Sequence, residues 1–482
     1  MALVKIDLDR RIGTIDRKVY GMFVEHLGRC IYGGMYDPGS SLSDENGFRR
    51  DVLEAARGLQ VPVLRYPGGN FVSGYHWIDG VGPKEKRPVR PELAWNTVET
   101  NQFGTNEFIQ YCRDLDTEPY LCANLGSGTM DEAAAWVEYC NRADGTSYAK
   151  LRAEHGFARP HEVTYWGLGN EMYGDWQIGH RNAQDYAKLA REYGKMMKGV
   201  DPSIKLVLCG AQNLDWDRHV LERCADIVEY ISYHVYWGPT EGEDPHFSVL
   251  AQPYASERYL RFLWHLIEQV RRDRRVDHPI HIALDEWNVW YREYGNGLEE
   301  RYDLTDALAV AIYMNMMRRN CQAIGMANLA QMVNVIAPIF TSPEGMFLQT
   351  IYHPLRLAVE KTGPVALEAH VECDTYAADY VRLPEVPYLD VLASVDESAN
   401  KLFVSLVNLS AEESQAVDVV MQSGDLGSSG RAHVIAGEAP EVVNDFGVER
   451  VVCRTEELAE LSARFTYTLP PLAHTVLELD LR

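Results

Sequence analysis

Positive charge is scarce in this sequence: 46 lysines and arginines stand against 70 aspartates and glutamates, a formal net charge of −24. A surface of that sign repels polyanions, which argues against nucleic acid or anionic membrane as a main partner and leaves a neutral ligand as the natural reading. Long apolar runs are missing too. The opening stretch Met-Ala-Leu-Val-Lys-Ile-Asp-Leu-Asp alternates like a strand and offers no signal peptide or membrane span, so a cytoplasmic location with no membrane partner is expected. The nine cysteines stand singly, at 30, 112, 122, 140, 209, 224, 321, 373 and 453, with no C-x-x-C pair. Reduced, mostly buried thiols are the expectation. His26, His180 and His234 belong to no H-x-x-x-H or comparable ligand pair, so no metal site is expected. Internal repeats are absent, and low complexity is confined to a brief Gly-Ser patch at 423–430.

What the chain does contain is length and alternation. At 482 residues it exceeds one hydrophobic core, which implies a large domain and a smaller one. Eight short apolar runs, at 19–25, 61–66, 119–124, 163–168, 205–209, 230–234, 281–285 and 325–330, read as strands. Amphipathic segments such as 131–140, 183–198, 258–272 and 305–319 lie between them. Eight strands each feeding a helix predict an α/β fold, a (β/α)8 TIM barrel over residues 14–372. After about residue 370 alternating runs take over, at 402–408, 416–421, 465–469 and 475–481. They predict a C-terminal antiparallel β-sandwich of jelly-roll type over 373–482, joined by the N-terminal strand within 1–13.

The working face of such a barrel is the C-terminal end of its strands. Two strands there end on a lone glutamate, Tyr165-Trp-Gly-Leu-Gly-Asn-Glu171 and Ile282-Ala-Leu-Asp-Glu286-Trp287. A carboxylate closing an apolar run sits at the mouth of the sheet, because an unpaired charge inside it would be costly. Two glutamates facing one cleft are the minimum apparatus for hydrolysing a glycosidic bond. The other strand ends supply Glu25 and His26, Asn70, Asn124, Asn170, His234, Tyr236 and Trp237, Trp290, Asn328 and Gln331. This set is polar, aromatic and free of cationic side chains other than histidine. Sugar sites have that character, since hydroxyls need amide and carboxylate partners while ring C–H faces pack on aromatics.

Gly-Leu-Gly-Asn170-Glu171-Met, with Trp176-Gln-Ile-Gly-His180 behind it, and Leu-Asp-Glu286-Trp-Asn-Val-Trp290 resemble the two catalytic motifs of glycoside hydrolase family 51, chiefly α-L-arabinofuranosidases. Collinear matches extend along the barrel: Phe23-Val-Glu25-His26, Leu64-Arg-Tyr-Pro-Gly-Gly-Asn70-Phe, Trp95 with Glu99-Thr-Asn-Gln-Phe-Gly-Thr105, residues 328–334, and Gln349-Thr350. Spacing alone leaves the two glutamates interchangeable. The resemblance implies that Glu171 is the acid/base and Glu286 the nucleophile, that Asn170 contacts the sugar 2-hydroxyl, that Tyr236 orients Glu286, that Glu25, Asn70 and Gln349 bind glycone hydroxyls, and that Trp95 and Trp290 line the site. It further implies a retaining, exo-acting enzyme without a cofactor, a substrate among arabinose-containing oligosaccharides, and a homo-oligomer. Rival readings are a β-D-galactofuranosidase or endo-glucanase on the same scaffold, a non-catalytic sugar-binding protein, and a metal-dependent sugar isomerase.

Each residue also has a structural alternative. Asn170 and Glu171 could cap the next helix; Tyr236 and Trp290 could be core; Glu25 could pair with Arg65; Asn70 could serve a left-handed turn. One departure from the family pattern stands out. Many members carry Asp-Gly-Pro where this chain has Tyr173-Gly174-Asp175, directly after the acid/base. Preference on the leaving-group side is therefore open.

Overall fold

The protein is described by a computed structural model covering residues 2–291 and 298–482. Eight parallel strands close into a barrel in the order Gly21–Phe23, Val63–Tyr66, Glu118–Ala123, Tyr165–Leu168, Lys205–Leu208, Tyr230–Trp237, His281–Val289 and Ile324–Ala330. Each coincides with one of the eight expected runs. The agreement has a physical basis: strands covered by helices outside and packed inside are buried on both faces and read as continuous apolar stretches. The lower interior is filled by Val63, Tyr120, Tyr165, Val207, Tyr230, Ala283 and Met326. That layer makes the barrel a packed core and leaves its C-terminal end as the open face.

Helices cover the outside, several of them started by a side-chain cap such as Asn182 accepting from the Asp185 amide and Asn213 from those of Asp215 and Trp216. The helix expected at 258–272 is much longer, running Pro245–Arg274. Pro253 lies inside it and made the sequence look broken there. Its true start is marked by Asp244, whose carboxylate accepts the Phe247 amide, with Pro245 at the first helical position. No helix among the described residues is long and apolar enough to cross a membrane.

A nine-stranded sheet forms the second body, ordered Cys453–Ala459, Leu426–Ala436, Ala473–Leu481, Lys401–Asn408, Leu389–Asp396, Val365–Glu372, Ala2–Thr14, Gln415–Met421 and Arg464–Leu469. All neighbours are antiparallel except Ala2–Thr14 against Gln415–Met421. The Gly-Ser patch leads into the strand Leu426–Ala436, where a Cβ on Gly430 would stand 2.7 Å from the Glu478 carbonyl oxygen. Leu469 on one outermost strand and Leu477, six strands away in the order, share one apolar cluster, so the sheet curls back on itself. Its concave face forms its own apolar core around Val4, Val391, Val404, Val419 and Leu477. The strand Val365–Glu372, which pairs with the N-terminal strand, belongs to this sheet, although it precedes the expected boundary at 372/373.

The opposite face packs on the barrel helix Leu304–Arg319 through a buried polar joint. Asp390 accepts from the Asn315 amide at 2.7 Å and the Tyr254 hydroxyl at 3.0 Å, and pairs with Arg319 at 2.8 Å. All nine cysteines are free, seven of them buried.

Candidate active site

Strand ends deliver the site, and glycines make room for it. After Val63–Tyr66 the chain turns through Pro67-Gly68-Gly69, where a Cβ on Gly68 would stand 2.9 Å from Glu25 Cγ and one on Gly69 2.9 Å from Glu286 Oε1. Only a residue without a side chain lets this loop approach the carboxylates so closely. After Tyr165–Leu168 the backbone turns left-handed at Gly169 (φ 80°) and again at Glu171 (φ 43°). A positive φ is unusual for glutamate, and such strain gathers at functional positions.

Four carboxylates and two cations converge. Arg65, in the second barrel strand, donates to Glu286 Oε1 at 2.6 Å and to Asn170 Oδ1 at 2.7 Å, and lies 3.6 Å from Asp285. The Tyr236 hydroxyl donates to Glu286 Oε2 at 2.8 Å. His234 bridges the remaining acids, Nδ1 at 2.9 Å from Glu171 Oε1 and Nε2 at 3.1 Å from Asp285 Oδ1. Trp176 Nε1 donates to Glu171 Oε2 at 2.6 Å. Glu25 accepts from the Phe71 amide, Trp95 Nε1 and Gln331 Nε2 at 3.0–3.2 Å.

Burial and charge set the protonation pattern. Burial raises Glu25, and the neighbouring Glu286 charge adds to it, so that its carboxyl titrates at about 8 despite three donors. Burial alone would lower His234, but Glu286, Asp285 and the bonds to Asp285 and Glu171 outweigh it and lift the imidazole to about 10. Burial would raise Glu171, yet the bond to His234, its positive charge and the Trp176 bond hold it below the usual carboxylate range. Ligand atoms of Glu171, His234 and Glu286 lie within 4.8 Å of one another, close enough in distance alone to share a metal ion. A protonated imidazole has no free lone pair for a metal, so this set does not suit one as it stands.

The same bound brings one oxygen of Glu171 within 4.8 Å of one oxygen of Glu286, which fits the roughly 5–5.5 Å between carboxyl groups for direct attack better than the 6.5–9.5 Å or so that leaves room for an intervening water. Comparison with known proteins agrees. Residues 55–253 match the α-L-arabinofuranosidase 1 domain and 285–473 the α-L-arabinofuranosidase C-terminal domain. A probable α-L-arabinofuranosidase C of Aspergillus niger is 43% identical over 96% of this chain and 95% of its own length. An intracellular exo-α-(1→5)-L-arabinofuranosidase of Halalkalibacterium halodurans is 41% identical over 88% of this chain and 87% of its own. The chain belongs to glycoside hydrolase family 51, the α-L-arabinofuranosidases. The crystal structure of the Thermotoga maritima α-L-arabinofuranosidase in its arabinose complex superposes with a TM-score of 0.94 at 40% identity, covering all of both chains. That of the family 51 enzyme from Thermotoga petrophila does so at 0.93, also at 40% identity and full coverage.

Within this family 51 chain, Asn170, Glu171, Tyr236 and Glu286 are joined through Arg65, Asp285 and His234, and Glu25 and Trp95 bond each other beside them. The helix after Glu171 starts only at Ala183 and is capped by Asn182, so Asn170 and Glu171 cap nothing. Glu25 forms no direct ion pair with Arg65, which is engaged with Glu286, Asn170 and Asp285. Asn70 opens a 3-10 turn with an ordinary negative φ, is half-buried, and its carboxamide bonds to no described residue. Trp290 is 39% exposed and edge-on to Tyr236, a wall rather than core. Gln349 is placed differently from the rest. Its carboxamide accepts from the Tyr302 amide and donates to the carbonyls of Glu300 and Ala337, all within 3.0 Å, so it clamps backbone instead of joining the carboxylates.

Arg65 and Asp285 are close neighbours of the glutamates that the sequence did not single out for the site, while His234 was read there only as a strand-end candidate and Trp176 only as part of a motif. A signal was present for Arg65 and Asp285: a charged residue inside an apolar strand requires a buried partner of opposite sign.

Proposed function

We propose that the protein is a retaining, exo-acting α-L-arabinofuranosidase that releases terminal arabinofuranose from arabinose-containing oligosaccharides, with Glu286 as nucleophile and Glu171 as acid/base. The observation that carries this reading is the close pair of carboxylates, one gripped by Arg65 and Tyr236 and the other by His234 and Trp176. Arg65 and Tyr236 fix both Glu286 oxygens and aim the carboxylate at the anomeric carbon. Glu171 gives a proton to the departing oxygen as the Glu286–sugar ester forms. It then takes a proton from the water that hydrolyses that ester. Asn170 is held by Arg65 for the 2-hydroxyl, while Glu25 and Asn70 meet the other glycone hydroxyls and Trp95 and Trp290 flank the ring.

Glu171 is held ionised beside His234, so its proton must come from a neighbour. His234 and Glu171 share one proton across their 2.9 Å contact, and the pair holds the correct number of protons until the imidazole is neutralised. His234→Gln should therefore bring the basic limb of kcat/KM down toward the acid range for substrates whose leaving group needs protonation. An unchanged limb would remove His234 from this role.

The experiment for the assignment is a pair of variants. Glu286→Ala should abolish turnover of every substrate, whereas Glu171→Ala should keep the first step for activated aryl arabinofuranosides and form an arabinosyl azide of retained configuration when azide is added. Activity surviving in Glu286→Ala would reverse the roles.

The barrel segment carries all of this chemistry in our reading, with the division between the two bodies near Val365. A cytoplasmic location is supported by the intracellular relative. Homo-oligomerisation rests on family membership, and light scattering of the purified chain measures it.

A further inference from the structure

Tyr173 stands where many family members have aspartate, and its surroundings give it a task. Gly174 donates its amide to the Glu171 carbonyl at 2.8 Å, closing a tight turn directly after the acid/base. A Cβ at Gly174 would lie 2.3 Å from Trp176 Cε2, so the glycine lets the indole fold back over the turn to reach Glu171 Oε2. Trp176 is nevertheless 58% exposed, the most exposed tryptophan among the large apolar side chains at the surface. An exposed indole holds one orientation only if something braces it. Tyr173 does so edge-on, with ring centroids 5.9 Å apart at 87°.

Tyr173 is in turn anchored to the barrel. Its ring meets Trp216 edge-on at 5.9 Å and 79°. Trp216 stacks on Tyr186 and donates Nε1 to the Cys209 carbonyl, and the Tyr186 hydroxyl bonds Leu168 at the end of the strand that delivers Glu171. The Tyr173 hydroxyl stands beside the Glu171 carboxylate. Burial and that adjacent carboxylate push its phenol well above the ordinary range, so it stays a donor throughout the working pH range.

We propose that Tyr173 is a positioning residue for the leaving-group half of the reaction, orienting the Glu171 carboxyl through its hydroxyl and bracing Trp176, through its ring, as the platform on which the leaving sugar rests. This rests on the reading of Glu171 as the acid/base. An aspartate placed here would offer neither a donor at neutral pH nor a ring, so Tyr173 gives the leaving-group side its braced, apolar character. The substrate class that gains is an arabinofuranoside whose leaving group is a sugar with an apolar C–H face.

A series of aryl α-L-arabinofuranosides of graded leaving-group pKa, together with an arabino-oligosaccharide, tests it in three forms of the full chain. Tyr173→Phe keeps the ring and loses the hydroxyl. It should steepen the dependence of kcat on leaving-group pKa, losing roughly tenfold on the poorest leaving groups and less than twofold on dinitrophenyl. Tyr173→Asp should add a several-fold rise in KM for the oligosaccharide with little change for the aryl substrates. A loss of the same size on every substrate in Tyr173→Phe, or no loss on any, overturns the proposal, because a merely structural role cannot discriminate between leaving groups. Failure of the underlying reading is distinguishable: the unaltered protein would then not cleave the aryl arabinofuranosides at all.

Discussion

Tyr236→Phe is the most informative single substitution on the nucleophile side, since it removes one hydroxyl and nothing else. That hydroxyl donates to Glu286 Oε2 at 2.8 Å in a buried setting, while Arg65 holds Oε1 at 2.6 Å and His234 stands 3.5 Å from Oε2. A hydrogen bond to a charged group contributes about 1.5–3 kcal/mol. If all of it is realised in the transition state that forms the glycosyl ester, kcat falls roughly 10- to 150-fold. KM should move little, because the glycone hydroxyls are met by other residues, and the ring still packs edge-on against Trp290. Initial rates with 4-nitrophenyl α-L-arabinofuranoside and with an arabino-oligosaccharide should drop together, with the melting temperature preserved. A kcat loss below about threefold would mean that Arg65 alone orients the nucleophile. A loss as complete as that of Glu286→Ala would mean that Tyr236 itself takes part in the chemistry.

Glu25, raised to about 8, is protonated at neutral pH and becomes charged above that value, adding a second negative charge beside Glu286. kcat/KM should therefore fall as pH rises through 8, and Glu25→Gln, which mimics the neutral form, should lose that limb; persistence of the limb in the variant assigns it elsewhere. Gly69→Ala places a methyl 2.9 Å from Glu286 Oε1 in space the sugar needs, and a displacement of this kind should cost about 100-fold in kcat/KM. Normal kinetics in that variant would put the glycone somewhere else. Asp390→Ala removes the shorter of two Arg319 ion pairs, leaving that to Glu257 at 3.7 Å, and takes the acceptor from Asn315 and Tyr254; it should cost about 3 kcal/mol of stability, read as a lowered thermal midpoint with unchanged activity at 25 °C. An unmoved midpoint would show that the joint contributes nothing.

The barrel was legible because its strands are buried on both faces and each closes on a polar residue, a pattern that survives without any knowledge of contacts. The long helix Pro245–Arg274 was hidden by Pro253, since local propensity says stop where packing lets the helix continue. The strand Val365–Glu372 was assigned with the barrel because its partner, Ala2–Thr14, lies more than 350 residues away in the chain. In the site, residues at strand ends were readable from geometry alone. Arg65 and Asp285 point into the barrel from within strands, where sequence shows only a charge in an apolar run. Gln349 has the amide chemistry of a sugar contact, but three backbone groups occupy it, and such competition is visible only in three dimensions. The role of Tyr173 depends on a glycine turn and a chain of rings reaching Trp216 and Tyr186, none of them adjacent in a motif.

The claim on which the whole account turns is that Glu286 attacks the sugar directly. Proton NMR of the first sugar released from an α-L-arabinofuranoside tests it, before mutarotation blurs the signal. Double displacement by carboxylates this close predicts that α-L-arabinofuranose appears first and the β anomer only later. Initial appearance of the β anomer would mean a single displacement by water, and the nucleophile assignment would be wrong.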